Sequence, residues 1–161
     1  MLTVNVSNNK MKELRGPAVC QRRKKSNQKK MENQMSSTVQ SRIYRLLVDL
    51  IPELGVSASR TRFAPPRVPG DMAVHCTIDD GVDGHLEIEI AQDIAGDHRR
   101  SQSRICFDVD LMRGTACVTQ LEQGGYFSVA SGRVNVYAAN WLAVFHTLGR
   151  SFQPIEALAC A

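Results

Sequence analysis

The chain has 161 residues, 43% hydrophobic, 22% charged and 6% aromatic, with a formal net charge of +4. That length suits one domain, the apolar fraction excludes wholesale disorder, and no window approaches ~18 consecutive apolar residues, which excludes an apolar membrane-spanning helix. All six lysines precede residue 31, so a G-x-x-x-x-G-K-[ST] phosphate loop and a Schiff-base lysine are excluded from everything beyond it.

Residues 1–35 hold nine Lys and Arg, including Arg22, Arg23, Lys24 and Lys25, against Glu13 and Glu32. They lack apolar periodicity and read as a disordered basic tail. The remainder carries eleven Arg against fourteen Asp and Glu, so it is mildly acidic. The start MLTVNVSNNK has no apolar signal-peptide core, and the five cysteines (Cys20, Cys76, Cys106, Cys117, Cys160) are odd in number with no C-x-x-C spacing. A reducing, cytoplasmic setting is expected.

Ser36, Ser37 and Thr38 offer N-caps to a first helix with Val39, Ile43, Leu46, Leu47, Leu50 and Ile51 on one stripe and Arg42, Arg45 and Asp49 opposite. Pro52 ends it. Residues 55–70 read as an irregular segment, locally basic through Arg60, Arg62 and Arg67, in which Pro65, Pro66 and Pro69 exclude a central strand. From Asp71 the period becomes two. Met72, Val74, Cys76 and Ile78 alternate with Ala73, His75 and Thr77, Leu86, Ile88 and Ile90 alternate with Glu87 and Glu89, and the intervening DDGVDG makes the pair a hairpin. His75 then faces Glu87 or Glu89. The DHRRSQS segment, with His98, Arg99 and Arg100, reads as a loop.

The next strand places Ile105, Phe107, Val109 and Leu111 on one face, with Cys106, Asp108 and Asp110 on the other. A turn at Met112–Arg113 pairs Val109 with Ala116 and Phe107 with Val118, so Cys117 faces Asp108 and Cys106 faces Thr119. A turn over Gln123–Gly125 pairs Leu121 with Tyr126, which puts Phe127 and Val129 on the core side. The last helix runs from about Val134 to Leu148, with Val134, Tyr137, Ala138, Trp141, Leu142, Phe145 and Leu148 as its apolar stripe and Gly149 after its end. Phe107, Val118, Trp141 and Leu47 are expected to be buried together.

These elements specify a two-layer α+β domain over 36–150: an antiparallel meander of about five strands with an N-terminal and a C-terminal helix on one face, and 151–161 as an extension. The order resembles that of several small bacterial families. It carries no diagnostic motif, so no functional residue is transferred.

The chemistry allowed is narrow. Glu87, Glu89, Asp83 and Asp93 lack the strand lysine of a metal-dependent nuclease. Aligning DDGVDG on a calcium loop puts Ile90 where a bidentate Glu is needed. Cys106, Cys117 and Asp108 without a close His make a poor zinc set. No base is placed beside a thiol, and Ser128 and Ser131 lack a nucleophile elbow. The expectation is a non-enzymatic interaction or regulatory module with no metal or cofactor. It would bind a protein partner or a second copy of itself, as a homodimer, through the sheet face bearing Leu121, Tyr126, Thr119, Ser128, Cys106 and Cys117. The alternative is a nucleic-acid-binding accessory protein using Arg22, Arg23, Lys24, Lys25, Arg60, Arg62, Arg67, Arg99 and Arg100.

Overall fold

The structure, a computed structural model, describes residues 37–56, 60–94 and 97–155, and over 93, 94 and 97–102 the backbone alone. The tail expected over 1–35, with Arg22, Arg23, Lys24 and Lys25, lies outside the described residues, as do Ser36 and 156–161. Helix α1 spans 37–50. Six strands come next: β1 (Thr61–Ala64), β2 (Val74–Asp80), β3 (His85–Ile94), β4 (Asp97–Asp110), β5 (Thr115–Gln123) and β6 (Tyr126–Val129). Helix α2 (Gly132–Thr147) and β7 (Gln153–Pro154) complete the order. The strands form one open antiparallel sheet in the order β6-β5-β4-β3-β2-β1-β7, so the class is α+β.

Seven strands replace the expected five. β1 lies inside the segment expected to be irregular; it ends at Ala64, before Pro65 and Pro66 remove their N–H groups from the ladder. β7 is too short for any period to announce it, and pairs Gln153 with Phe63 and Pro154 with Arg62. Phe152, just before it, is fully buried, so the core continues past residue 150. The DHRRSQS segment is strand β4 rather than a loop, and its pairing with β3 shifts register on both sides of Asp93.

Alternation makes one face of the sheet apolar. Val74, Cys76 and Ile78, then Leu86, Ile88 and Ile90, then Ile105, Phe107 and Val109, with Ala116 and Val118, are buried. They share one cluster with Ile43, Leu47, Leu50 and Ile51 of the α1 region and Ala138, Ala139, Leu142 and Phe145 of α2. Arg42, Arg45 and Asp49 stay exposed on the far side of α1, which ends as the chain reaches Pro52 and Glu53, the latter at φ 61°. The stripe of α2 is rotated from the expected one: Asn135 and Ala139 turn inward, while Tyr137 and Leu148 are exposed and Trp141 is half-buried against Phe145, ring centroids 4.4 Å apart. Among the described residues no helix is long and apolar enough to cross a membrane.

Asn135 locks α2 to the sheet. Its Oδ1 accepts from the buried backbone N–H of Val118 at 2.8 Å, and the helix is capped one turn earlier by Ser131 Oγ, which accepts from Val134 N at 3.3 Å. Asn135→Ala strands that N–H without a partner and is expected to cost about 1–3 kcal/mol in urea denaturation.

Candidate interaction surface

Opposed residues share a face, so the register fixes what the outer side of the sheet displays. One row across it reads Asp79, Glu87, Asp108, Cys117; the next reads Thr61, Thr77, Glu89, Cys106, Gln120, Val129; a third reads Phe63, His75, Ala91, Arg104, Glu122, Phe127. His75 therefore faces Ala91, not Glu87 or Glu89, and its ring meets Phe63 at 5.1 Å between centroids. A shallow depression of about 380 Å³ lies on this face, lined in part by Asp79, Glu87, Glu89, Cys106, Asp108, Thr119 and Gln120.

The face is acidic and cross-braced. Arg104 on β4 donates from Nη2 to Glu122 Oε2 on β5 at 2.8 Å, and its Nη1 lies 3.7 Å from Glu89 Oε2 on β3. Cys106 Sγ donates to the same Glu89 oxygen at 3.7 Å. Burial, then the negative charge of Glu89, pushes the Cys106 thiol up to about 11, and burial with Asp108 also raises Cys117. Cys76, inside the core, is raised by burial to about 12. A thiol held protonated is a poor nucleophile and a poor metal ligand. Among the described residues no three His, Cys, Asp or Glu side chains gather as a metal site.

His85 sits at the end of this face between two carboxylates. Its Nδ1 donates to Asp108 Oδ1 at 2.7 Å, and Nε2 lies 3.7 Å from Asp110 Oδ2. The Asp108 hydrogen bond, followed by the charges of Asp108 and Asp110, raises the imidazole pKa against partial burial and Arg113. The stability this pairing contributes is complete below the ordinary imidazole value and is lost as pH rises through the raised native value. In an NMR titration His85 is expected to titrate above the usual imidazole range, and Asp108→Asn to bring it down; an unchanged midpoint in Asp108→Asn would contradict the assignment.

Two departures from the expected register set the outer face, the first by exchanging sides and the second by changing which residues stand opposite one another. Phe107 pairs with Val118, as the alternation predicts, but Cys106 pairs with Gln120 rather than Thr119, because β5 carries an extra residue there. Thr119 is that residue, and its hydroxyl donates to Cys106 O at 3.2 Å. The extra residue reverses the sides beyond it. Leu121 now opposes Ile105 and packs against the core. The second departure is the turn: Gly124 and Gly125, at φ 55° and 83°, form a two-residue connection that pairs Gln123 with Tyr126.

So Leu121, Tyr126 and Ser128 lie on the side of the sheet that carries the core, not on the outer face, while Thr119, Cys106 and Cys117 remain outside. Phe127 and Val129, expected inside, take the outer positions, opposite Glu122 and Gln120. Phe127 is 61% exposed, Val129 67% and Tyr126 83%. β6 is also an edge: among the described residues it pairs with β5 alone. The glycine pair was the signal available for this register, since two residues free to take positive φ favour the tight hairpin.

The arginines of the alternative reading are scattered. Arg62 is 1% exposed, on the core side of β1, and donates from Nη1 to Phe152 O at 3.3 Å, so it cannot meet a phosphate. Arg60 is ion-paired with Asp80. Arg67 is exposed, and its backbone N–H donates to Asp71 Oδ2 at 2.9 Å. Arg99 and Arg100 belong to strand β4, and their side chains lie outside the described residues, as do Arg22, Arg23, Lys24 and Lys25 altogether. Comparison with family models, curated proteins and solved structures finds no match to this chain.

Proposed function

We propose that this chain is a two-layer, non-enzymatic interaction module, with both helices on one sheet face and the opposite face and its β6 edge presented to a protein partner. The observation that carries the reading is the exposure of Phe127 and Val129 on the outer face of an edge strand that, among the described residues, pairs on one side only. Sheet edges are normally blunted by charge, proline or a covering segment; Tyr126-Phe127-Ser128-Val129 has no charge and no proline. The opposite edge is a two-residue strand ending in Pro154. Carboxylates bordering the outer face, from Glu122 to Asp79, oppose a polyanion there, which favours a protein over a nucleic acid. The raised Cys106 and Cys117 thiols support a non-enzymatic reading, and the odd cysteine count without C-x-x-C spacing supports a reducing, cytoplasmic setting.

A photo-crosslinking residue placed at Phe127 in cells is expected to trap a protein, while one placed at exposed Val82 in the β2–β3 turn is not. Equal labelling from both positions, or none from Phe127, would overturn the reading.

A further inference from the structure

We infer that the partner at the β6 edge is a second copy of this chain, joined strand to strand in a weak dimer centred on Ser128. The inference rests on the proposed interaction role of that edge and on the hydrogen-bond pattern of the β5–β6 hairpin. A two-residue turn closes on a hydrogen-bonded pair, here Gln123 and Tyr126. Tyr126 and Ser128 therefore direct their backbone groups to β5, and Phe127 and Val129 direct theirs to the outer edge.

An antiparallel twofold about an axis normal to the sheet preserves its faces, so opposed positions must have the same parity. Centring the axis on Ser128 satisfies this. Phe127 of one copy then opposes Val129 of the other, twice, as hydrogen-bonded pairs on the outer face, and Ser128 opposes Ser128. Every outward-directed N–H and C=O of the two residues gains a partner, and each exposed Phe127 ring gains Val129 as an aliphatic neighbour across the seam. The strand is uncharged, so two copies meet without repulsion. A centre between Phe127 and Ser128 would oppose residues from different faces and is excluded.

The area sets the strength. An aromatic residue offers about 150–250 Å²; at the exposures of Tyr126, Phe127 and Val129 the three can bury at most roughly 400 Å² per copy, or about 800 Å² for the pair. That lies below the ~1,200 Å² of stable complexes, so the dimer is transient and concentration-dependent.

The test combines sedimentation with a disulfide. In a full-length background with Cys20, Cys106, Cys117 and Cys160 changed to serine, Ser128→Cys should give a covalent dimer under mild oxidant, because a pair of this type brings the two Cα atoms to about 4.5 Å. Tyr126→Cys and Val129→Cys, which oppose other residues, should not. The wild-type chain should show a rising sedimentation coefficient with concentration, and Phe127→Lys should abolish the rise with an unchanged far-UV spectrum. Monomer at every concentration without a Ser128→Cys crosslink overturns the second copy as partner, as does preferential crosslinking through Tyr126→Cys or Val129→Cys. A different protein trapped from Phe127 alongside that outcome would leave the interaction reading standing, whereas no trapping at all would end both.

Discussion

Replacing Arg150 with methionine is expected to destabilise the fold by about 3–5 kcal/mol and to lower Tm by more than about 10 °C. Its side chain is fully enclosed and ion-paired with Asp71, which is itself only 12% exposed. Nη2 also donates to Met72 O at 3.0 Å, and the guanidinium lies 4.7 Å from the centre of the Phe145 ring. The residue thus joins the segment before β2 to the end of α2. Removing it leaves the Asp71 carboxylate largely buried without its cation. Lysine would not rescue the site, since it cannot stack flat on Phe145 while bonding Asp71 and Met72 together.

Asp71 gives this prediction a pH signature. Burial pushes its pKa up, but the N–H groups of Arg67 and Met72 and the Arg150 guanidinium together hold it below the ordinary carboxylate value. The stability it contributes is present above its unfolded-state value and is lost as pH falls through the depressed native value. Urea denaturation of Arg150→Met should therefore show a shallower loss of stability on acidification than the parent chain. The Arg150→Met, Asp71→Asn double variant should be less destabilised than the two singles added together. Strict additivity would place the ion pair outside the folding energetics.

The second large effect is expected at Phe107. It is 1% exposed, opposes Ile88 on one side and Val118 on the other, and belongs to the core cluster shared by the sheet and the helices. Phe107→Ala should cost about 3–5 kcal/mol through lost burial and the cavity left behind, while Phe107→Leu, which retains most of the volume, should cost markedly less. Equal costs for both would mean the site collapses around either replacement.

The pairing of Phe107 with Val118, Val109 with Ala116 and Asp108 with Cys117 was legible in the sequence because a one-residue slip would take Ala116 and Val118 off the side that carries Ile105, Phe107 and Val109. The extra residue at Thr119 was not legible: a bulge leaves the composition unchanged and only exchanges the two faces for the residues after it. That exchange put Phe127 and Val129 on the outer face in place of Leu121, Tyr126 and Ser128, while the partly apolar, uncharged character of the edge is plain from composition. β1 was hidden by the prolines just after it, and Arg62, which looks like a solvated residue by type, is buried because it lies on the core side of that strand. The stripe of α2 is off by about one turn position because apolar residues surround nearly the whole helix. With Val136, Tyr137, Val144 and Leu148 exposed, periodicity alone does not centre the buried side, whereas the small residues Ala138 and Ala139 and the hydrogen bond from Val118 to Asn135 do.

Amide hydrogen exchange, resolved residue by residue across β6, tests most directly whether its outer edge is open to a partner. In the full chain at low micromolar concentration, Tyr126 and Ser128 should exchange slowly and Phe127 and Val129 rapidly, since only the first two donate into the β5–β6 ladder. Raising the concentration to hundreds of micromolar should slow Phe127 and Val129 and leave the other two unchanged. Slow exchange at all four positions in the most dilute sample would show that this chain covers its own edge, and would contradict an account in which that edge is the docking surface.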